Sequence, residues 1–491
     1  MSRPVGTCCL VLHSHLPWLA HHGAWPVGEE WLHQAWAGAY LPVVGMLGRL
    51  ADEGRRDLIT LGVTPVLAAM LDDPYCLREF HTWLGMWQLR AEDALVRGVG
   101  VASYEGGLAA TALAQFEAGW RNGGAPLLRG LADAGAVQLL GGPATHTFTP
   151  FLPDRIARFA LRVGLDDASI RLGSRPAGIW APECAYVPGL EQGYDSHGVT
   201  HFVVDGPLAH GRTGAPIDVA GSGVLAFARD LEVTYRVWSP RSGYPGDPRY
   251  RDFHTFDHDS GLRPARVTSR HTEPWNKQRY EPAAALAVVA RDAADFVAHV
   301  VARMRALPEE DPLVVVAYDT ELFGHWWHEG PAFLEAVLRL LPQAGVRVTT
   351  LERAGAMLPA RPAELPAGSW GSGKDFHVWQ VPDLQQMHSQ VSERLLRVVD
   401  KRGGADRDPL LDQLARAGLL ALASDWPFCV SKDSAAGYAR DRALGHAADF
   451  HRLADALEAA DDRAAARAAA HSAGRDYPFG HLDARGLGGR V

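Results

Sequence analysis

Eight short runs of apolar, often β-branched residues recur between the N-terminus and Thr350: Cys8–His13, Leu58–Val63, Val137–Leu140, Gly178–Trp180, His201–Val204, Val224–Phe227, Leu313–Tyr318 and Val346–Thr350. Most are apolar throughout and do not alternate with polar positions. That is the pattern of strands covered on both faces, hence of a mostly parallel sheet. Amphipathic stretches such as Asp154–Leu172 and Pro282–Met304 lie between them and predict the covering helices. At this size the alternation predicts a closed β/α barrel. Leu71–Leu131 contains no strand-like run and reads as helical (Leu77–Leu89, Leu108–Trp120), an insertion at about 72–131. The Gly-, Pro- and Arg-rich region at about 206–280 predicts long loops over the barrel mouth. Arg361–Gly373 is again rich in Pro and Gly and marks a boundary. Beyond it Asp383–Val399, Pro409–Ala423 and Ala435–Leu457 have long helical patterns, and Asp461–Ala470 is an Ala/Arg-rich extension. The expected organisation is an α/β barrel over 1–360 and an α-helical C-terminal domain over 361–491.

The polar residues fall where these strands end. His13 and His15 follow the first run, Thr145 and His146 the third, Glu183 the fourth, and Asp319 and Glu321 the seventh. In β/α barrels the carboxyl ends of the strands converge on one face, and active sites sit there. The segment Tyr318–Gly330 packs carboxylates, histidines and aromatic rings together, a composition no core helix wants. Two carboxylates flanking one glycosidic bond suffice for glycoside chemistry: one attacks the anomeric carbon and the other, kept protonated, gives its proton to the leaving oxygen. Glu183, in an apolar setting after Pro182, reads either as such a group or as a buried ion-pair partner. The His13-Ser14-His15 pattern places two imidazoles on one face of a strand, suited to a metal ion or to a hydrogen-bonded pair in a polar pocket.

Composition narrows these readings. Of 491 residues 47% are apolar, enough for a sizeable core. The formal charge of −9 argues against nucleic acid or an anionic membrane as partner, but is compatible with a neutral polymer. Five cysteines with no CxxC pair suggest a reducing cytoplasm. The apolar stretch near the N-terminus is too short for a signal-peptide core, and no run approaches the length of a membrane helix. Trp (15) outnumbers Tyr (12), and many tryptophans lie in loop-like contexts, where their rings suit the flat faces of sugars; the alternative for each is core filling.

Taken together, five segments in order resemble glycoside hydrolase family 57, and within it the α-1,4-glucan branching enzymes. They are His13–Pro17, Ala144–His146, Trp180–Tyr186, Tyr318–Gly330, and Ser424–Phe428 with Tyr438, Arg442 and His446. Gly23–Trp31, Gly243–Asp247 and Gly368–Gly371 with Trp379 are similar to segments of the branching subgroup. The resemblance implies a (β/α)7 barrel with an inserted helical segment and an α-helical C-terminal domain. It implies Glu183 as nucleophile and Asp319 as acid/base. His13, His15, Trp25, His146, Tyr244, Trp275, Trp370, Trp379 and Asp425 are then substrate-binding, with an α-glucan as partner and no metal or organic cofactor. Within the family the alternatives are an α-amylase or a 4-α-glucanotransferase. Outside it, the two histidines leave open a metal-dependent deacetylase- or mannosidase-like hydrolase.

Overall fold

The computed structural model describes residues 3–25, 27–239 and 241–488. Ten strands are formed: β1 (Gly6–Ser14), β2 (Ile59–Val63), β3 (Val137–Leu140), β4 (Gly178–Ile179), β5 (His201–Asp205), β6 (Ile217–Val219), β7 (Leu225–Arg229), β8 (Leu313–Asp319), β9 (Val346–Val348) and β10 (Arg361–Ala363). All eight expected runs are strands. β1 is buried along its whole length, which explains why it carries no alternating pattern. One sheet runs β3-β2-β1-β8, with β9 also paired to β1, and every pairing is parallel. The β1–β8 register sets His13 opposite Asp319, so two residues some 300 positions apart leave the sheet side by side.

The second sheet runs β10-β6-β7-β5-β4, parallel except where β6 meets β7. The two sheets touch at both edges. Gly141 bridges Ile179 where β3 ends and β4 begins, with Trp180 N–H donating to Gly141 O at 2.9 Å. On the other side Asp230 N–H, just past β7, donates to Val315 O of β8 at 2.8 Å. The strands β6 and β10 were not expected. Each has only three residues, too short for a period to show, and Pro362 sits in β10 at the sheet edge, where a missing N–H is tolerated. The Pro/Gly-rich stretch at Arg361 is thus stitched to the second sheet.

The insertion between β2 and β3 consists, as expected, of helices: Pro65–Leu71, Pro74–Val96, Ala102–Gln115 and Ala125–Asp133. Asp73 caps the longest by accepting from the N–H groups of Tyr75 and Cys76. The C-terminal region is also helical: Pro382–Arg402, Pro409–Ala421, Asp425–Ser431, Ala436–Glu458 and Asp462–Ala473. It shares one apolar cluster with β1 and the helices around it. Backbone pairing pins its Ser424 region to the β3 exit: Thr147 bridges Ala423, and Ser424 N–H donates to His146 O at 3.0 Å. No helix among the described residues is long and apolar enough to cross a membrane.

Candidate active site

Glu183 is held in a bent backbone. The chain leaves β4 through Pro182, and both Glu183 (φ +61) and Cys184 (φ +49) adopt left-handed conformations. Such angles cost a non-glycine residue about 1–3 kcal/mol each and persist where the surroundings enforce them. Here the enforcement is visible. Trp370 N–H donates to Glu183 O at 2.9 Å, and Gly368 bridges Tyr186. The side chain is equally fixed: Trp370 Nε1–H donates to Oε2 at 2.9 Å, and Ser424 Oγ–H donates to Oε1 at 2.8 Å. Burial raises the Glu183 carboxyl above its ordinary range, and these two hydrogen bonds pull it part of the way back.

Asp319 ends β8. Burial, reinforced by the charges of Glu321 and Glu183, raises it well above the carboxylate range and so favours its protonated form. Glu321 accepts from Tyr40 Oη–H and from the His15 N–H (3.0 Å), and burial lifts it to about 7. The charge of Glu183 thus reaches Asp319 within one buried region.

The three histidines stack around these carboxylates. His15 and His146 have ring centroids 3.8 Å apart, and His13 lies 5.1 Å from His146 and 4.3 Å from Trp180, stacked nearly parallel to the indole. His15 bonds Asp425 at 2.9 Å and Thr64 at 3.0 Å. Burial works against a charge on His15, but Asp425, Glu183 and Glu321 outweigh it and raise its value. His13 and His146 are driven well below theirs by burial and by the neighbouring imidazoles, so both are neutral. His146 Nδ1 pairs with Ser424 Oγ at 2.9 Å, whereas His146 Nε2 and both His13 nitrogens are buried without a hydrogen-bond partner. Buried polar atoms in that state need an explanation, and a hydroxyl-bearing ligand supplies one.

The other expected site residues are distributed differently. Trp370 joins the pocket, its ring edge-on to Trp180 at 5.0 Å and covered by the Arg229 guanidinium at 5.2 Å. Trp379, expected to bind substrate, is only 2% exposed. It stacks on Phe148 at 4.6 Å within an aromatic cluster and offers no open face. It is the floor under the Trp370 loop: a Cβ on Gly371 would stand 2.8 Å from its ring, so only glycine lets the loop lie so close. Trp25 and Trp275 are 76% and 79% exposed, away from the carboxylate pair. Tyr244 turns its hydroxyl to Asp295 on the helix Pro282–Ala306. Sequence reasoning missed Ser424, Thr64, Tyr40 and Trp180 as site residues. Ser424 and Trp180 lay inside motifs already noted, but nothing in the sequence around Tyr40 or Thr64 separates them from core residues.

Donor atoms of His15, His146 and Asp425 come within 4.8 Å of one another, a spacing that could hold a metal ion. The His15–Asp425 bond satisfies two members of this group already. His22, His446 and Asp476 form a second such group, likewise internally hydrogen-bonded (His22 to Asp476, 2.7 Å).

Two buried carboxylates at the ends of parallel strands, surrounded by histidines and tryptophans, define a glycoside-processing α/β enzyme. The chain matches the model "Glycosyl hydrolase family 57" over residues 9–362 and that of "1,4-alpha-glucan branching enzyme, C-terminal" over 385–486; it belongs to glycosyl hydrolase family 57. A probable 1,4-alpha-glucan branching enzyme of Mycobacterium tuberculosis is 53% identical over 98% of both chains. A 1,4-alpha-glucan branching enzyme of Thermococcus kodakarensis is 34% identical over 92% of this chain and 74% of its own. Among solved structures, the GH57-type branching enzyme of Pyrococcus horikoshii superposes with a TM-score of 0.93 at 32% identity, covering 99% of this chain and 97% of its own. The α-amylase AmyC of Thermotoga maritima superposes at 0.88 with 25% identity, covering 99% of both.

The Trp370–Glu183 bond yields a prediction. Trp370→Phe keeps the ring but removes a donor to a buried carboxylate, an interaction contributing about 1.5–3 kcal/mol. Turnover should fall roughly 10- to 100-fold. Because the lost bond favours the ionised form, the acid limb of the kcat–pH profile should move to higher pH; steady-state rates across a pH series check both effects.

Proposed function

We propose that this protein is a retaining 1,4-α-glucan branching enzyme. Glu183 attacks C1 of an internal glucose of an α-1,4 chain while Asp319 gives its proton to the departing O4, leaving a glycosyl ester on Glu183. Asp319, now ionised, takes the proton from a 6-hydroxyl of an acceptor glucan, whose oxygen attacks C1 and releases Glu183. One α-1,4 linkage is exchanged for one α-1,6 linkage, with no net consumption of water. The observation that carries this reading is the Glu183 carboxyl anchored by Trp370 and Ser424, whose charge helps to hold Asp319 above the ordinary carboxylate range. A retaining mechanism needs the two carboxyls about 5 Å apart. His13 and His146 offer their unpartnered nitrogens to the sugar hydroxyls in this reading, and Asp425 acts by holding His15. Exposed Trp25 and Trp275 serve as outer glucan platforms, and Tyr244 is a further substrate-binding residue.

The contacts at both sheet edges support reading β1, β2, β3, β4, β5, β7 and β8 as one closed seven-stranded barrel, with residues 1–360 as catalytic unit and 361–491 as helical domain. The relatives named above support an α-glucan as substrate. Five cysteines, all buried as thiols, fit a cytoplasmic setting. The discriminating experiment is incubation with amylose. New α-1,6 anomeric proton signals, without a matching rise in reducing ends, are the expected result. Reducing ends alone would establish the amylase reading, which the likeness to the Thermotoga α-amylase favours.

A further inference from the structure

A second cavity, about 590 Å³ and open to solvent, lies between the helical insertion and the loop carrying Arg251–Arg263. Neither Glu183, Asp319 nor Glu321 lines it. Its floor is the helical segment Gly28–Tyr40, which lends Glu30 and Gln34 to this side. From the same segment Tyr40 donates its hydroxyl to Glu321 at the reaction centre, so the segment separates the two spaces.

One wall is a pair of tryptophans four residues apart on the helix Pro74–Val96, and thus on one face of it. Trp83 and Trp87 have ring centroids 5.6 Å apart and are half-buried. Each indole N–H is tied down by a carboxylate: Trp83 to Glu30 at 2.8 Å and Trp87 to Glu105 at 2.9 Å. Those bonds fix the rings and spend their only polar atom, and both indoles line the cavity, Trp83 with the Arg90 guanidinium 5.4 Å over one face. Charge is balanced along the lining, where Arg90, Arg251 and Arg263 stand against Glu30, Glu105 and Glu329, with Arg251 paired to Glu105. A groove with fixed aromatic faces, abundant hydrogen-bonding groups and no excess of either charge suits a neutral polyhydroxylated chain better than a phosphate polymer or a charged peptide.

We infer that this groove is a second glucan-holding site, which grips a segment of α-glucan outside the reaction centre by stacking glucose faces on Trp83 and Trp87. The inference rests on the α-glucan reading of the substrate. Trp25 stands at the mouth of the groove and extends the same surface.

Maltoheptaose titrated calorimetrically into the whole protein tests it. Two molecules should bind per chain. Trp87→Ala should lose the groove site or weaken it about tenfold or more. Thr111→Trp places bulk at an exposed position of the groove lining, so it should block the same site without disturbing the core. One site in the wild type, or two unaltered sites in both variants, overturns the inference. That failure is distinct from failure of the catalytic assignment, which would show as turnover surviving in Glu183→Gln while groove binding is intact.

Discussion

Glu183→Gln abolishes glucan turnover, with a fall of at least about 10⁴-fold, while the protein stays folded. Loss of a covalent nucleophile removes the whole two-step route, and losses of this order follow when such a residue is deleted. Gln is isosteric and keeps an oxygen to accept from Trp370 or Ser424, so the left-handed turn and the loop carrying Trp370 keep their backbone anchors. Thermal unfolding should therefore change little. Chain turnover measured on amylose, together with an unfolding curve, separates lost chemistry from lost structure. Ready turnover in a folded Glu183→Gln protein would remove the assignment.

Asp319→Asn should lower kcat on amylose by about 10³-fold, within the range general acid catalysis contributes. The loss should depend on the leaving group. An α-glucoside with an acidic phenol as leaving group needs little protonation, so its first step should be much less impaired than cleavage of a sugar–sugar bond. The pH dependence gives an independent check. Burial, Glu321 and Glu183 hold Asp319 protonated above the usual carboxylate range, and the acid is lost as pH rises through that raised value. The wild-type profile should thus descend on the alkaline side, and the Asn variant should lack that descent. An unchanged alkaline limb in Asp319→Asn would assign it to another group, with Glu321, lifted to about 7, the nearest alternative.

These predictions fall on residues that stand out in the sequence itself. Glu183 and Asp319 were legible because each follows an apolar strand and is out of place there. The strands were legible because burial on both faces demands unbroken apolar runs. By contrast, β6 and β10 are three-residue edge pairings whose reason for forming lies in the partner strand. Tryptophan was the least transferable signal. Trp370 in a Gly-rich loop anchors the nucleophile and Trp379, nine residues on, is buried beneath it, while the pinned pair Trp83 and Trp87 lay unremarked in an ordinary helix.

The amino-acid sequence alone determined the element pattern, the family and the two acidic groups, because strand burial and motif chemistry are written in local residue order. Only the tertiary structure decided which groups surround those acids. Tyr40, Thr64 and Ser424 come from the first helical segment, the β2 exit and the helical C-terminal region; they meet Glu321, His15 and Glu183 respectively because β1 stands beside β8 and the backbone at Ser424 is tied to His146. Burial depth, and with it the upward shift of Asp319, is a property of that assembly: it depends on how much water the packed neighbours exclude, which no stretch of sequence specifies by itself.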